Sequence, residues 1–332
     1  AGAAGLVLPA TTGDRKGHIT AAITALEAGG STNGGEGIRL AYRLAADSFV
    51  AGGINRVIIA TDGDMNVGVV DVEDLKDLVA RNRDTGISLT TLGFGSGNYN
   101  SELMESLADI GNGNAAYIDN LVEAHRVLVR NMASTMLTIA EDVKVQVEFS
   151  PLVAEYRLIG YENRLLDEAD FTNDKVDAGD IGAGHSVTAL YEVALRGSEG
   201  VRLPERRYGS ADTTQVQDTL SELAFVKLRY KRPGSVRSVQ MSTPILAGDI
   251  KDTVAETSDD FRFAAAAAAF GQQLRGGTYL GEFGYSDIRT LAAGARGQDL
   301  HGDRNALLAL AHLAESLMSP GGETPFAVLS AQ

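Results

Sequence analysis

Two short stretches carry oxygen-bearing side chains at positions where a folded chain could use them. Gly29-Gly30-Ser31-Thr32-Asn33-Gly34-Gly35 joins two segments of helical period, and Thr61-Asp62-Gly63-Asp64-Met65-Asn66 follows an apolar run at Arg56–Thr61. A carboxylate just past the carboxyl end of a parallel strand sits where open α/β sheets bind their ligands. A hydroxyl from a neighbouring loop can join it on a hard cation, since Mg2+ takes oxygen ligands and keeps several waters. A hydroxyl of the first stretch and a carboxylate of the second are therefore the groups that could ligate a metal. Both stretches are also rich in turn formers, glycine for positive φ and Asp for local hydrogen bonds, so a plain pair of turns is the competing reading.

The same residues allow other chemistries to be weighed. Asp62-x-Asp64 after an apolar strand matches the nucleophile and acid/base pair of haloacid-dehalogenase-like phosphatases, which form an aspartyl phosphate. That pattern continues with Gly and then Thr or Ser, whereas Met65-Asn66 follows here, and no Lys and acidic pair stands at the ends of later strands. A phosphatase using Asp62 and Asp64 is thus an alternative, not the leading reading. Gly93-x-Gly95 also follows a strand, but Asn98 occupies the third glycine position of a dinucleotide fingerprint. The histidines, His18, His125, His185, His301 and His312, make no His-Glu-x-x-His pattern. The acidic run Asp167-Glu168-Ala169-Asp170, with Asp174, Asp177 and Asp180, lacks the odd-position spacing of a calcium loop and reads as a solvated loop between strands.

The elements that must position these two stretches alternate between strand and helix. Gly5–Leu8 is a short strand candidate; Asp14 can cap a helix with Ile19, Ala22, Ile23 and Leu26 on one face. A second helix is expected from Gly35 to Phe49, with Ile38, Ala41, Ala45 and Phe49 inward. Arg56–Thr61 reads as a strand buried on both faces. Asp71 and its acidic neighbours open a helix through Leu75, Leu78 and Val79 that Gly86 closes, and Ile87–Gly93 is the next strand. Asn100 caps a helix carrying Leu103, Leu107 and Ile110, Gly111 stops it, and Ala115–Ile118 is a short strand. Asn120 opens a longer helix through Leu121, Ala124, Leu128 and Met132. Repeated units of this kind imply a mainly parallel sheet with helices on both faces.

After about Thr138 the period becomes two. Val143, Val145, Val147 and Phe149 alternate with polar residues, as a half-buried strand would, and Val187–Leu195 and Leu223–Lys231 are further strands. These suggest an antiparallel, sandwich-like module. Helices follow at Phe261–Leu274, Ser286–Ala293 and Asn305–Leu317, the last with Leu307, Leu310, Leu313 and Leu317 in line. The expected domains are residues 1–137 and 138–332.

Composition narrows the functions. Across 332 residues the net charge is -15, which opposes a nucleic-acid surface and suits one that meets cations or basic partners. The chain has no cysteine, so disulfides, thiolate metal sites and cysteine nucleophiles are excluded. No run reaches the ~20 apolar residues that span a bilayer.

Gly29–Thr32 and Ala60-Thr61-Asp62-Gly63-Asp64 resemble the second and third motifs of a von Willebrand factor A domain. Leu92-Gly93-Phe94-Gly95-Ser96-Gly97-Asn98-Tyr99-Asn100, Leu107-Ala108-Asp109-Ile110-Gly111-Asn112-Gly113, Tyr279-Leu280-Gly281-Glu282-Phe283 and Gly294-Ala295-Arg296-Gly297 are similar to the YfbK-like bacterial group of that family. The resemblance spans nearly the whole chain. It implies a doubly wound, Rossmann-like α/β domain, then a β-sandwich-like module with C-terminal helices. It also implies a non-enzymatic protein-binding or scaffolding role through a metal-ion-dependent adhesion site, in which Thr32 and Asp62 hold Mg2+ and a partner's acidic side chain completes the coordination. A purely structural module with a relic site is the alternative. The family's first motif, Asp-x-Ser-x-Ser, is not in this chain. The expectation is therefore a domain entered past its central strand, with an incomplete metal site. A periplasmic or cell-envelope location, as a lipoprotein, is a further expectation from the resemblance.

Overall fold

The computed structural model describes residues 4–26, 34–62, 72–95, 100–131, 136–160, 165–176, 178–203 and 221–318. It divides into two compact units: Ala1–Val145 with Ala169–Ser186 and Leu228–Met241, and Gln146–Glu168 with Val187–Lys227 and Ser242–Gln332.

The first unit is built on a parallel sheet of order β1-β2-β3, formed by β1 (Asn55–Thr61), β2 (Ile87–Phe94) and β3 (Ala115–Ile118). Parallel neighbours need crossovers, and helices supply them. Helix α1 (Lys16–Thr24) opens the unit, α2 (Gly34–Asp47) precedes β1, α3 (Val72–Asp84) links β1 to β2, and α4 (Ser101–Ile110) links β2 to β3. Ile38, Leu75, Val79, Leu89, Met104 and Leu107 close over one sheet face as a single apolar core. Full burial of such side chains stabilises by about 1.5–3 kcal/mol each. Asn100 caps α4 as its spacing requires, its Oδ1 accepting from Leu103 N at 3.0 Å.

Several expectations give way here. Residues 5–8 form no strand; Leu6 and Val7 are exposed. Arg15 rather than Asp14 precedes α1, without a side-chain cap, and α1 buries nothing, leaving Ile23 and Leu26 in solvent. Phe49 falls beyond the end of α2 and is largely exposed, while Tyr42 takes the inward place beside Ile38. β1 is buried unevenly on its two faces: Val57 is 6% exposed but Ile58, on the other side, is 44%. The sheet's helices α2, α3 and α4 share one core, so an apolar run here marks strand composition and not two-sided burial. The helix after Asn120 is short, α5 (Leu121–His125), and passes into one π-turn at Arg126–Arg130; Leu121 and Leu128 stay exposed. A register change to the wider turn rotates the stripe that the 3.6 period would have aligned.

Further along lie β4 (Thr138–Phe149), β5 (Val153–Ile159), β6 (Gly179–Gly182), β7 (Leu190–Leu195), β8 (Glu222–Lys231) and β9 (Ser238–Leu246). They make a sheet of order β6-β4-β8-β9 and an antiparallel pair β5-β7. In the first unit, β4 presents its faces the opposite way from the expected one. Asp142 and Lys144 are buried, at 6% and 3% exposure, while Val145 is 57% exposed. A register shift between Ala140 and Val143, with Asp142 at φ 52°, accompanies the reversal.

In the second unit, Phe149 stacks on Tyr156 at 4.3 Å and meets Tyr191 edge-on at 5.4 Å. Helices α6 (Asp259–Leu274), α7 (Tyr285–Gly294) and α8 (Asp303–Met318) pack around Phe270, Ile288 and Ala311. Ser258 caps α6 through its Oγ to Phe261 N at 3.2 Å. Arg157 of β5 reaches Glu192 at 2.6 Å and Gln272 at 3.0 Å, and lies 4.0 Å over the Tyr279 ring. The leucine row of α8 faces outward, with Leu310, Leu313 and Leu317 exposed, because Leu307, Ala311 and Ala314 take the inward side.

Candidate functional site

Asp62 follows the last residue of β1 and is exposed at the sheet's carboxyl rim. Thr32 and Asp64 lie outside the described residues. Beside Asp62 stands Gly95, the residue after β2, at φ +77°. A Cβ there would lie 3.4 Å from the Asp62 carbonyl oxygen and 3.8 Å from its Cβ. The Tyr117 hydroxyl of β3 donates to the Gly95 carbonyl oxygen. The ends of all three strands therefore meet at one place, as the pairings Thr61 with Gly93 and Phe94 with Ile118 require.

Helix α2 is aligned with this rim by its other end. Asn55, which opens β1, accepts from Val50 N at 2.9 Å and donates to Val50 O at 3.0 Å, tying the exit of α2 to the start of the strand. The helix has 14 residues and the strand 7. At ~1.5 Å and ~3.3 Å per residue the two lengths are nearly equal. Helix α2 thus begins on the side of the sheet where β1 ends, with Gly34 and Gly35 buried in its first turn. A single exposed carboxylate can accept hydrogen bonds or give a cation one anionic ligand. Among the described residues no cluster of three or more His, Asp or Glu side chains could hold a metal.

Sequence reasoning missed a second constellation in the first unit. Asp142 receives Lys231 Nζ at 2.9 Å and Lys144 Nζ at 3.2 Å, and its backbone N–H donates to Asp180 Oδ1 at 3.2 Å. Lys144 also donates to Asn173 O at 2.7 Å. Asp174 takes Arg229 at 2.9 Å and the Ser238 hydroxyl at 2.6 Å, and these bonds hold its carboxyl below the ordinary carboxylate range. The acidic run around residue 174, expected to be a solvated loop, is thus partly a set of anchors. The available signal was the alternation of Lys227, Arg229 and Lys231 in β8, matched by acids in β4. On the parallel sheet's second face, Arg56 Nη1 donates to Thr90 Oγ1 at 2.6 Å. Burial lowers that guanidinium's pKa, opposed by nearby Asp180.

A family model described as "Uncharacterized protein YfbK, C-terminal" matches residues 134–317, and one for the von Willebrand factor type A domain matches residues 4–162. "Uncharacterized protein YfbK" of Escherichia coli (strain K12) is 43% identical over 318 residues, 96% of this chain and 54% of the relative. The chain therefore spans about half the length of the curated relative it matches. Among solved structures, a von Willebrand factor type A protein from Catenulispora acidiphila is 17% identical, over 87% of this chain and 66% of its own, with a TM-score of 0.40. The SpRpn10 VWA domain is also 17% identical, over 31% of this chain and 53% of its own, with a TM-score of 0.26. A von Willebrand factor type A domain points to a role in protein interaction or adhesion.

Proposed function

This chain belongs to the YfbK family and carries a von Willebrand factor type A domain, and from that premise we propose that it is a non-enzymatic protein-binding or scaffolding module. Its contact point is a divalent cation at the carboxyl rim of the parallel sheet. The observation that carries this reading is the place of Asp62, an exposed carboxylate directly after β1 and beside Gly95. Helix α2, which begins two residues after Thr32, starts on the same side.

In this reading Thr32 and Asp62 contribute a hydroxyl and a carboxylate to Mg2+. A cation with so few anionic protein ligands stays electron-poor and accepts an acidic side chain from a partner. Because the chain contains no Asp-x-Ser-x-Ser motif, its own affinity for the metal is weak. A periplasmic or envelope location, as a lipoprotein, belongs to the same proposal. The test is Mn2+ binding to the full chain, followed by electron paramagnetic resonance. Weak, saturable, chelator-sensitive binding is expected, and Asp62→Ala and Thr32→Ala should each abolish it. Equal binding by all three proteins would sink the metal site and leave contacts through the C-terminal module as the reading.

A further inference from the structure

The reversed strand β4 leaves part of an apolar sheet face in solvent. Side chains alternate between faces along a strand, and the ionic partners fix which is which. Asp142, Lys144, Arg229, Lys231 and Ser238 share the inward, charged face with Asp174. Their neighbours Val145, Leu228, Tyr230, Val239 and Met241 therefore share the other. Val145 and Met241 are each 57% exposed, Leu228, Tyr230 and Val239 are half-buried, and no charged side chain stands among these five residues.

At one margin of this face is the hairpin between β8 and β9, where Gly234 adopts φ 73° in the turn. Val236 is 89% exposed. Arg232 and Arg237 flank it, both exposed, and neither makes an ion pair among the described residues. By contrast, Arg229 and Lys231 each hold a carboxylate. In a chain of net charge -15, two free guanidinium groups at one tip are a local exception. β9 is the outer strand of its sheet among the described residues, so one row of its backbone N–H and C=O groups has no neighbouring strand.

We propose that this edge docks an extended peptide segment of a protein partner, which adds to the first half of β9 as a further strand. Backbone groups of β9 supply the pairing, the apolar face takes every second side chain, and Arg232 and Arg237 select acids at one end of the segment. Antiparallel addition sets those acids at the segment's carboxyl end, because Arg237 stands at the start of β9. The attraction is short-ranged: beyond the ~10 Å over which salt screens charges, the chain's overall sign repels an acidic partner.

The probe is a fluorescein-labelled octapeptide, Thr-Val-Thr-Val-Thr-Val-Glu-Glu, titrated with the full chain and followed by anisotropy. Saturable binding is expected, weakened about tenfold by the double change R232E/R237E and likewise by M241K. The same peptide with its two acids moved to the amino end should bind more weakly. All these substitutions lie at exposed positions, and thermal melts verify that the variants fold. Absence of saturable binding, or equal binding by the double variant, overturns the proposal. It is also overturned if Arg232 and Arg237 instead mediate binding to phosphatidylglycerol vesicles, or if M241K dissolves a self-associated form of the chain.

Discussion

Gly113 occupies a point where any side chain would collide with the neighbouring strand. A Cβ there would fall 1.6 Å from the Leu89 carbonyl oxygen, and at Gly111 one would fall 2.6 Å from the Leu89 Cβ. The Ile110-Gly111-Asn112-Gly113 stretch therefore lets the chain leave α4 and press against β2, with Gly111 O accepting from Leu89 N at 2.8 Å. Gly113→Ala should destabilise by about 3 kcal/mol or more in urea titrations, since backbone must move. Asp174 gives a prediction in acid. Its folded pKa is lowered, chiefly by the Ser238 and Arg229 hydrogen bonds. The stability it contributes is therefore full above the unfolded value of ~3.9 and lost as pH falls through the lower folded value. Asp174→Asn should melt earlier than the parent at neutral pH, and the gap should close below about pH 4. The place of Asp62 after an apolar strand was legible in sequence because strand, carboxylate and glycine are contiguous there. Its closeness to Gly95 was not, since that depends on the pairing of two strands.

At the scale of elements, periodicity identified most helices and strands but not always the side they turn inward. Strict alternation in β4 tells which residues share a face; what covers that face is decided by distant chain. Here the Asn173–Asp174 turn bonds to the charged row through Lys144 and Arg229, and Val145 faces out. Helix α8 repeats the lesson, as alanines at 311 and 314 permit close packing and displace the leucine row to solvent. Two substitutions in β4 measure the reversal. Val145→Thr should change stability by no more than about 0.5 kcal/mol, as at an exposed position. Lys144→Ala removes one of the two ammonium groups on buried Asp142, leaving Lys231, and should cost about 1.5–3 kcal/mol. Chemical denaturation of both variants decides it; a larger loss at Val145 than at Lys144 would refute the assignment of faces.

For the molecule as a whole, alternating strands and helices announced the parallel sheet because each β/α unit is local in sequence. The return of residues 169–186 and 228–241 to the first unit is a long-range pairing that no local pattern carries. The charge of -15 acts at this scale too. Like charges spread over a compact surface repel one another more than in an expanded chain. Raising NaCl from about 0.02 to 0.3 M shortens the screening length severalfold and should raise the thermal midpoint. A midpoint that falls steadily with salt would mean that the attractive ion pairs outweigh the surplus of acids.

The inward charged row of the second sheet also bears on how the fold responds to temperature. Exposing hydrocarbon on unfolding raises heat capacity, whereas exposing polar groups lowers it. A layer that hides Lys144 and Asp142 while Val145 and Met241 already meet water adds little to that increment. Calorimetry should register an increment per residue below the usual ~12–15 cal/mol/K. The stability curve would then be broad and shallow, with weak tendency to unfold in the cold.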